Sequence, residues 1–140
     1  QKKQELFVWI SKFPEGPSVK FKLSEVALAE SNKFHGNCLK GSRPILSFDS
    51  EFLKSPENSL IKNLLVDCFN SPKNHPKTQP FFDKVFGFGM EDKKVSVRNY
   101  QIAKNGQKFN DFEFVEIGPR FELEVVKIFD GFFTRISLNY

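Results

Sequence analysis

The chain is poor in the residues from which catalytic and metal centres are most often built. Its 140 residues include two cysteines, two histidines, one methionine and one tryptophan. No GxSxG, P-loop, GxGxxG or HExxH pattern occurs, and the acids are scattered without an obvious pair. Nothing therefore nominates a nucleophile, a general base or a cofactor, and neither an enzyme nor a cofactor is expected. Cys38 and Cys68 stand without a CxxC. His35, Cys38, Cys68 and His75 would supply four zinc-type ligands on paper. The Cys68–His75 spacing is unlike the tight pairs of structural zinc sites, so reduced thiols and surface imidazoles are the plainer reading. No stretch approaches the ~20 apolar residues of a membrane-spanning helix. No secretory signal, repeat or low-complexity run is visible, and a chain opening on Gln1 is expected to be a fragment or a processed product.

What the chain does hold is phenylalanine and lysine. Eighteen phenylalanines against two tyrosines and one tryptophan predict a core filled by rings. One domain of 140 residues is large enough to bury such a core. The formal charge of +4 is uneven: residues 1–43 carry eight Lys/Arg and four Asp/Glu, whereas residues 44–140 carry thirteen of each. A basic first third suits a phosphate backbone or an acidic partner.

Leu6 to Ile10 (LFVWI) reads as a buried strand, with Trp9 expected in the core. Ser18 to Leu23 alternates Val19, Phe21 and Leu23 with Lys20 and Lys22, a half-buried strand showing two lysines to solvent. The two pair as a hairpin. Glu25 to Glu30 is read as a short helical turn. Pro44 to Phe48 is a strand, and Ser55-Pro56 opens the clearest helix, a capping hydroxyl before a first-turn proline. Its apolar face is Leu60, Ile61, Leu64, Leu65, Cys68 and Phe69. Lys84 to Met90 and Lys94 to Gln101 form a second hairpin, with Val95 and Val97 opposite Arg98 and Tyr100. Phe112 to Ile117 and Phe121 to Phe129 are strands broken at Gly118-Pro119, and Phe132 to Leu138 adds an edge strand. The fold class is α/β (α+β), a mixed sheet with one dominant helix.

Two corners set a guanidinium beside restricted backbone, Arg43-Pro44 and Pro119-Arg120. Such an arginine is organised for phosphate or carboxylate, and the bland alternative is a structural ion pair. A nucleic-acid reading uses Lys20, Lys22, Lys40, Arg43, Lys73, Lys77, Arg98 and Arg120. Exposed aromatics between them would favour single-stranded RNA, with Trp9, Phe13, Phe34 and Tyr100 as candidates. A protein-partner reading uses Glu113, Glu116, Glu122 and Glu124, in a stretch, 111–130, that holds six acids against Arg120 and Lys127. The bland alternatives are a solvated lysine face and an ordinary polar sheet face.

Four ordered motifs carry a resemblance: WISKFPEGPSVKFKL (Trp9 to Leu23), GNCLKGSRPILSFD (Gly36 to Asp49), VSVRNYQI (Val95 to Ile102) and VEIGPRFELEVVKIF (Val115 to Phe129). Together they resemble the Brix domain of ribosome-assembly factors, from about Leu6 to Gly131. KGSRPILSFD and VRNYQI are most similar to a large-subunit branch. The resemblance implies a single Brix domain over 1–140, built from halves like anticodon-binding domains, with the first half incomplete for want of an opening strand and helix. It further implies a nucleolar scaffold that binds precursor ribosomal RNA within the pre-ribosomal particle. A small, largely helical assembly-factor partner is expected, and no membrane. The alternative is an interaction module without RNA contact.

Overall fold

The computed structural model describes residues 5–30, 34, 42–70, 79–104, 112–131 and 137–138, with the backbone alone at 79–81 and 137–138. Eight strands make one mixed sheet: β1 (Leu6–Ser11), β2 (Ser18–Ala27), β3 (Ser42–Phe48), β4 (Gln79–Glu91), β5 (Lys94–Lys104), β6 (Phe112–Glu116), β7 (Arg120–Phe129) and β8 (Ser137–Leu138). The order across it is β1-β2-β7-β5-β4-β3, with β6 on β5 and β8 on β7. Pairing is antiparallel except between β3 and β4. Parallel neighbours need a crossover, and here a 3-10 turn (Ser50–Leu53) and helix α1 (Pro56–Phe69) supply it.

Helix α1 starts where its caps dictate. Ser55 accepts a hydrogen bond from Asn58 N and Pro56 occupies the first turn. Asp49 secures the approach with both carboxylate oxygens: Oδ1 accepts from Glu51 N at 2.8 Å and Oδ2 from Met90 N at 2.8 Å. The helix covers one face of the sheet. Phe52, Ile61, Leu64 and Leu65 pack there against Val19, Phe21, Phe88, Met90, Val95, Val97, Leu123, Val125 and Ile128. Rings fill much of this layer, with Phe48 stacked on Phe88 at 4.5 Å between centroids.

Two bulges keep the apolar set on that face. Val125 and Ile128 are three residues apart, so strict alternation would place them on opposite sides. The register passes from Lys20↔Lys127 to Phe21↔Val125, which leaves Val126 as an extra residue on β7. A second shift between Ser24 and Ala27 adds a residue to β2, where Glu25 has φ 50.

Three expectations need correction. Glu25 to Ala27 continue β2 rather than forming a helical turn, because Ala27 pairs with Arg120. β1 is not a buried strand: Leu6, Phe7 and Trp9 are 56%, 43% and 40% exposed, and Phe7 and Trp9 lie on the face opposite the helix. Cys68 is exposed, not on the buried side of α1. The β4–β5 hairpin forms as expected, with Asp92 and Lys93 at φ 44 and 65 in a two-residue turn. His35, Cys38 and His75 lie outside the described residues.

Asp49→Ala is expected to cost about 1–2 kcal/mol, since a charged acceptor is lost to two backbone donors. Urea unfolding would show it, with Asn63→Ala on the exposed side of α1 as a control within about 0.5 kcal/mol.

Candidate nucleic-acid interface

Alternation sends every second residue of the strands to the face without the helix, and the register sorts these into rows. Trp9, Lys20 and Lys127 form one row across β1, β2 and β7. Phe7, Lys22, Glu124, Lys94 and Glu91 form the next. Ser24, Glu122, Ser96 and Gly89 follow, and Arg98 and Gly87 pair in the row beyond. Among the described residues six cations thus share this face: Lys20, Lys22, Lys94, Arg98, Arg120 and Lys127.

Lys20 and Lys127 are held by rings. Lys20 Nζ lies 4.3 Å from the Phe7 centroid and 5.5 Å from that of Trp9. Lys127 Nζ lies 5.3 Å from the Phe129 centroid. Trp9 and Phe129 stack at 5.2 Å with their planes at 27°. Lys22 donates to Glu5 Oε1 at 2.6 Å. That hydrogen bond and its charge lower the Glu5 carboxyl below its ordinary value and raise the Lys22 ammonium above its own.

Arg98 and Arg120 line a cleft of about 310 Å³ with Ser96, Glu122, Glu25 and Phe121. The corner that aims Arg120 is fixed by β5. Asn99, 6% exposed, donates from Nδ2 to Gly118 O at 2.8 Å, while Ile117 N donates to Asn99 O at 2.9 Å. Gly118 has φ 66, and a Cβ there would stand 2.7 Å from the Phe34 ring. Only glycine fits that backbone and that space. The Arg120 guanidinium lies 5.5 Å from the Phe34 centroid, and its Nε is 3.4 Å from Glu116 Oε1.

The structure brings Lys20, Lys22, Arg98 and Arg120 to one face but sets Arg43 apart. Arg43 is on β3, four strand spacings or about 19 Å from β2. Its guanidinium is 5.5 Å from the Phe82 centroid, and its Nε is buried without a hydrogen-bond partner among the described residues. Lys40, Lys73 and Lys77 lie outside the described residues. Phe13 is 78% exposed in the β1–β2 turn, and Tyr100 is half-buried beside Gly87.

Nor do the acids form one patch. Glu122 and Glu124 sit among the cations of the open face, Glu116 faces Arg120, and Glu113 is exposed on β6. Sequence reasoning missed Phe7, Lys94, Lys127 and Phe129. Lys127 and Phe129 were hidden because the bulge at Val126 shifts the alternation they follow. Among the described residues no three His, Cys, Asp or Glu side chains group as metal ligands.

Residues 1–127 match the Brix domain family. The chain is 48% identical over 133 residues to the "Ribosome biogenesis protein BRX1 homolog" of Xenopus laevis, covering 95% of this chain and 38% of that protein. The homologue of the same name in Homo sapiens is 47% identical, with 95% and 36% covered. "Ribosome biogenesis protein BRX1" of Saccharomyces cerevisiae is 46% identical over 140 residues, with 95% and 48% covered. The chain spans less than half the length of each of these relatives.

The Glu5–Lys22 pair stabilises between the two ordinary values, 4.5 and 10.5. Its contribution is lost as pH falls through the lowered Glu5 value or rises through the raised Lys22 value. Glu5→Gln should return the Lys22 ammonium toward 10.5 in an NMR titration, with little change in folding midpoint at neutral pH.

Proposed function

This chain belongs to the Brix domain family, and from that premise we propose that it serves ribosome biogenesis as a non-catalytic scaffold in large-subunit assembly. In this reading it holds precursor ribosomal RNA on the helix-free face of its sheet, within the nucleolar pre-ribosomal particle. The relatives' shared name supplies the process. The observation that carries the RNA reading is the convergence of Lys20, Lys22, Lys94, Arg98, Arg120 and Lys127 on one surface. A backbone of phosphates is the partner that such spaced cations fit, with Arg98 and Arg120 offering forked donors and the lysines point charges. Lys40, Lys73 and Lys77 are further phosphate-binding candidates from the sequence alone, and Arg43 would offer a separate contact on β3.

The protein partner is assigned a different surface. Phe112 and Phe114 on β6 are 56% and 61% exposed, with Glu113 between them on the strand. An apolar strand with an acid beside it suits an amphipathic, basic helix. Glu116, Glu122 and Glu124 would meet that helix only at the border of the cationic face.

Binding of a large-subunit ribosomal RNA fragment should weaken steeply with salt. Engagement of four to six phosphates gives a log–log slope of about −3 to −4 on a single strand. An affinity that stays constant between low and moderate salt would remove this mechanism. Lys20→Glu, Lys22→Glu and Arg98→Glu together should abolish RNA binding while partner capture persists. Phe112→Ser with Phe114→Ser should do the reverse.

A further inference from the structure

Phe7 and Trp9 project from the same face of β1 two residues apart. That spacing separates their stems by about 6.7 Å, roughly twice the ~3.4 Å rise between stacked bases. Two walls so placed admit one flat or compact cationic guest. The guest present is the Lys20 ammonium, 4.3 Å from one centroid and 5.5 Å from the other. Phe7 and Trp9 are 43% and 40% exposed, so the slot opens to solvent. Behind it Phe129 stacks on Trp9 and braces the indole. Lys127 and Lys22 flank it on the neighbouring positions of the rows already described.

We propose that the Phe7–Trp9 slot is a stacking site for one unpaired base, which makes single-stranded RNA the ligand of this face rather than a duplex. The proposal rests on the RNA reading above and deepens it. Entry of a base displaces Lys20 from the slot. The flexible lysine stem lets its ammonium swing to the phosphate of the entering nucleotide, so the cation is transferred from ring to phosphate and not lost. Lys127 and Lys22 take the adjoining phosphates. A duplex keeps its bases inside and presents only phosphates and sugars, so it leaves the slot to Lys20. Ring stacking is sequence-tolerant, and the site selects for strandedness more than for base identity.

Trp9 is the single tryptophan of the chain, and its emission reports on the slot directly. The full chain is titrated with a ten-nucleotide oligouridylate and with a matched RNA duplex, binding being followed independently by anisotropy of a labelled strand. The expected result is quenching of Trp9 by the single strand only. Phe7→Ala should then lower single-strand affinity about 10-fold with an unchanged salt slope. Lys20→Gln should reduce the slope by about 0.7, one phosphate's worth. Trp9→Phe should retain most of the affinity that Trp9→Ala loses, which separates stacking from folding damage. Single-strand binding without quenching, or equal affinity in Phe7→Ala, overturns the slot and leaves the scaffold reading standing. Failure of both RNAs to bind at low salt overturns both.

Discussion

The basic face exists because the chain turns a corner at Gly118. Up to Glu116 it runs along β5, and from Arg120 it resumes on the same edge of β5, then carries on to collect β2. Asn99 holds the corner from below with its side-chain amide and its carbonyl. That pin supports the departure of β7 from β5, and the β7 ladder in turn carries the β1–β2 hairpin. Lys20 and Lys22 reach the neighbourhood of Arg98 and Arg120 only through β7. The two halves of the cationic surface thus meet through β7, whose start is set by a left-handed glycine and a buried amide. Such a position tolerates no side chain, because φ is wrong for one and the Phe34 ring already fills the space.

Local chemistry made much of the fold readable. Ser55-Pro56, the alternation in SVKFKL and the Asp92-Lys93 turn each carry their structure within a few residues. What the sequence hid was set by distant pairing. EVALAE has good helix formers at residues 25–30, yet Ala27 is taken by Arg120 across the sheet, and tertiary pairing overrides a weak propensity. Trp9 reads as core in an apolar run, but the partner at its register position is Lys20, which fixes it on the solvent side. The face of Lys127 could not be found by counting either, since the extra residue Val126 reverses the parity of the strand. The corner arginines were legible as held side chains, while the separation of Arg43 from Arg120 follows only from strand order.

The two faces of the sheet are built to different rules. Under α1, rings and branched residues pack with almost no exposure, and their burial supplies the stability. On the other face small residues gather at the centre: Gly87, Gly89, Ser47 and Ser96 leave a shallow floor beside Arg98 and Tyr100. A Cβ on Gly89 would meet Ser96 Oγ at 2.8 Å, so the floor is kept flat by absence of side chains. A flat polar floor bordered by arginines lets a backbone approach closely, which large side chains would prevent.

Six cations on one face would repel each other if nothing intervened, and the acids of this face resolve that. Glu124 stands opposite both Lys22 and Lys94, Glu122 lies in the Arg98–Arg120 cleft, and Glu5 holds Lys22. Rings do the same for Lys20 and Lys127. Each of these contacts is exposed, weak and screened by salt. They organise the cations in the free chain, and in the proposed role would yield them to a phosphate. An acid in this position lowers the net field, and so slows indiscriminate capture of polyanions, yet leaves the geometry for a correctly spaced one. Glu122 and Glu124, two of the four glutamates that read in sequence as a docking patch for a basic partner, thus lie within the same surface as the lysines. In the proposed RNA-binding role they would temper which anion is admitted, and their removal would trade that selectivity for raw attraction.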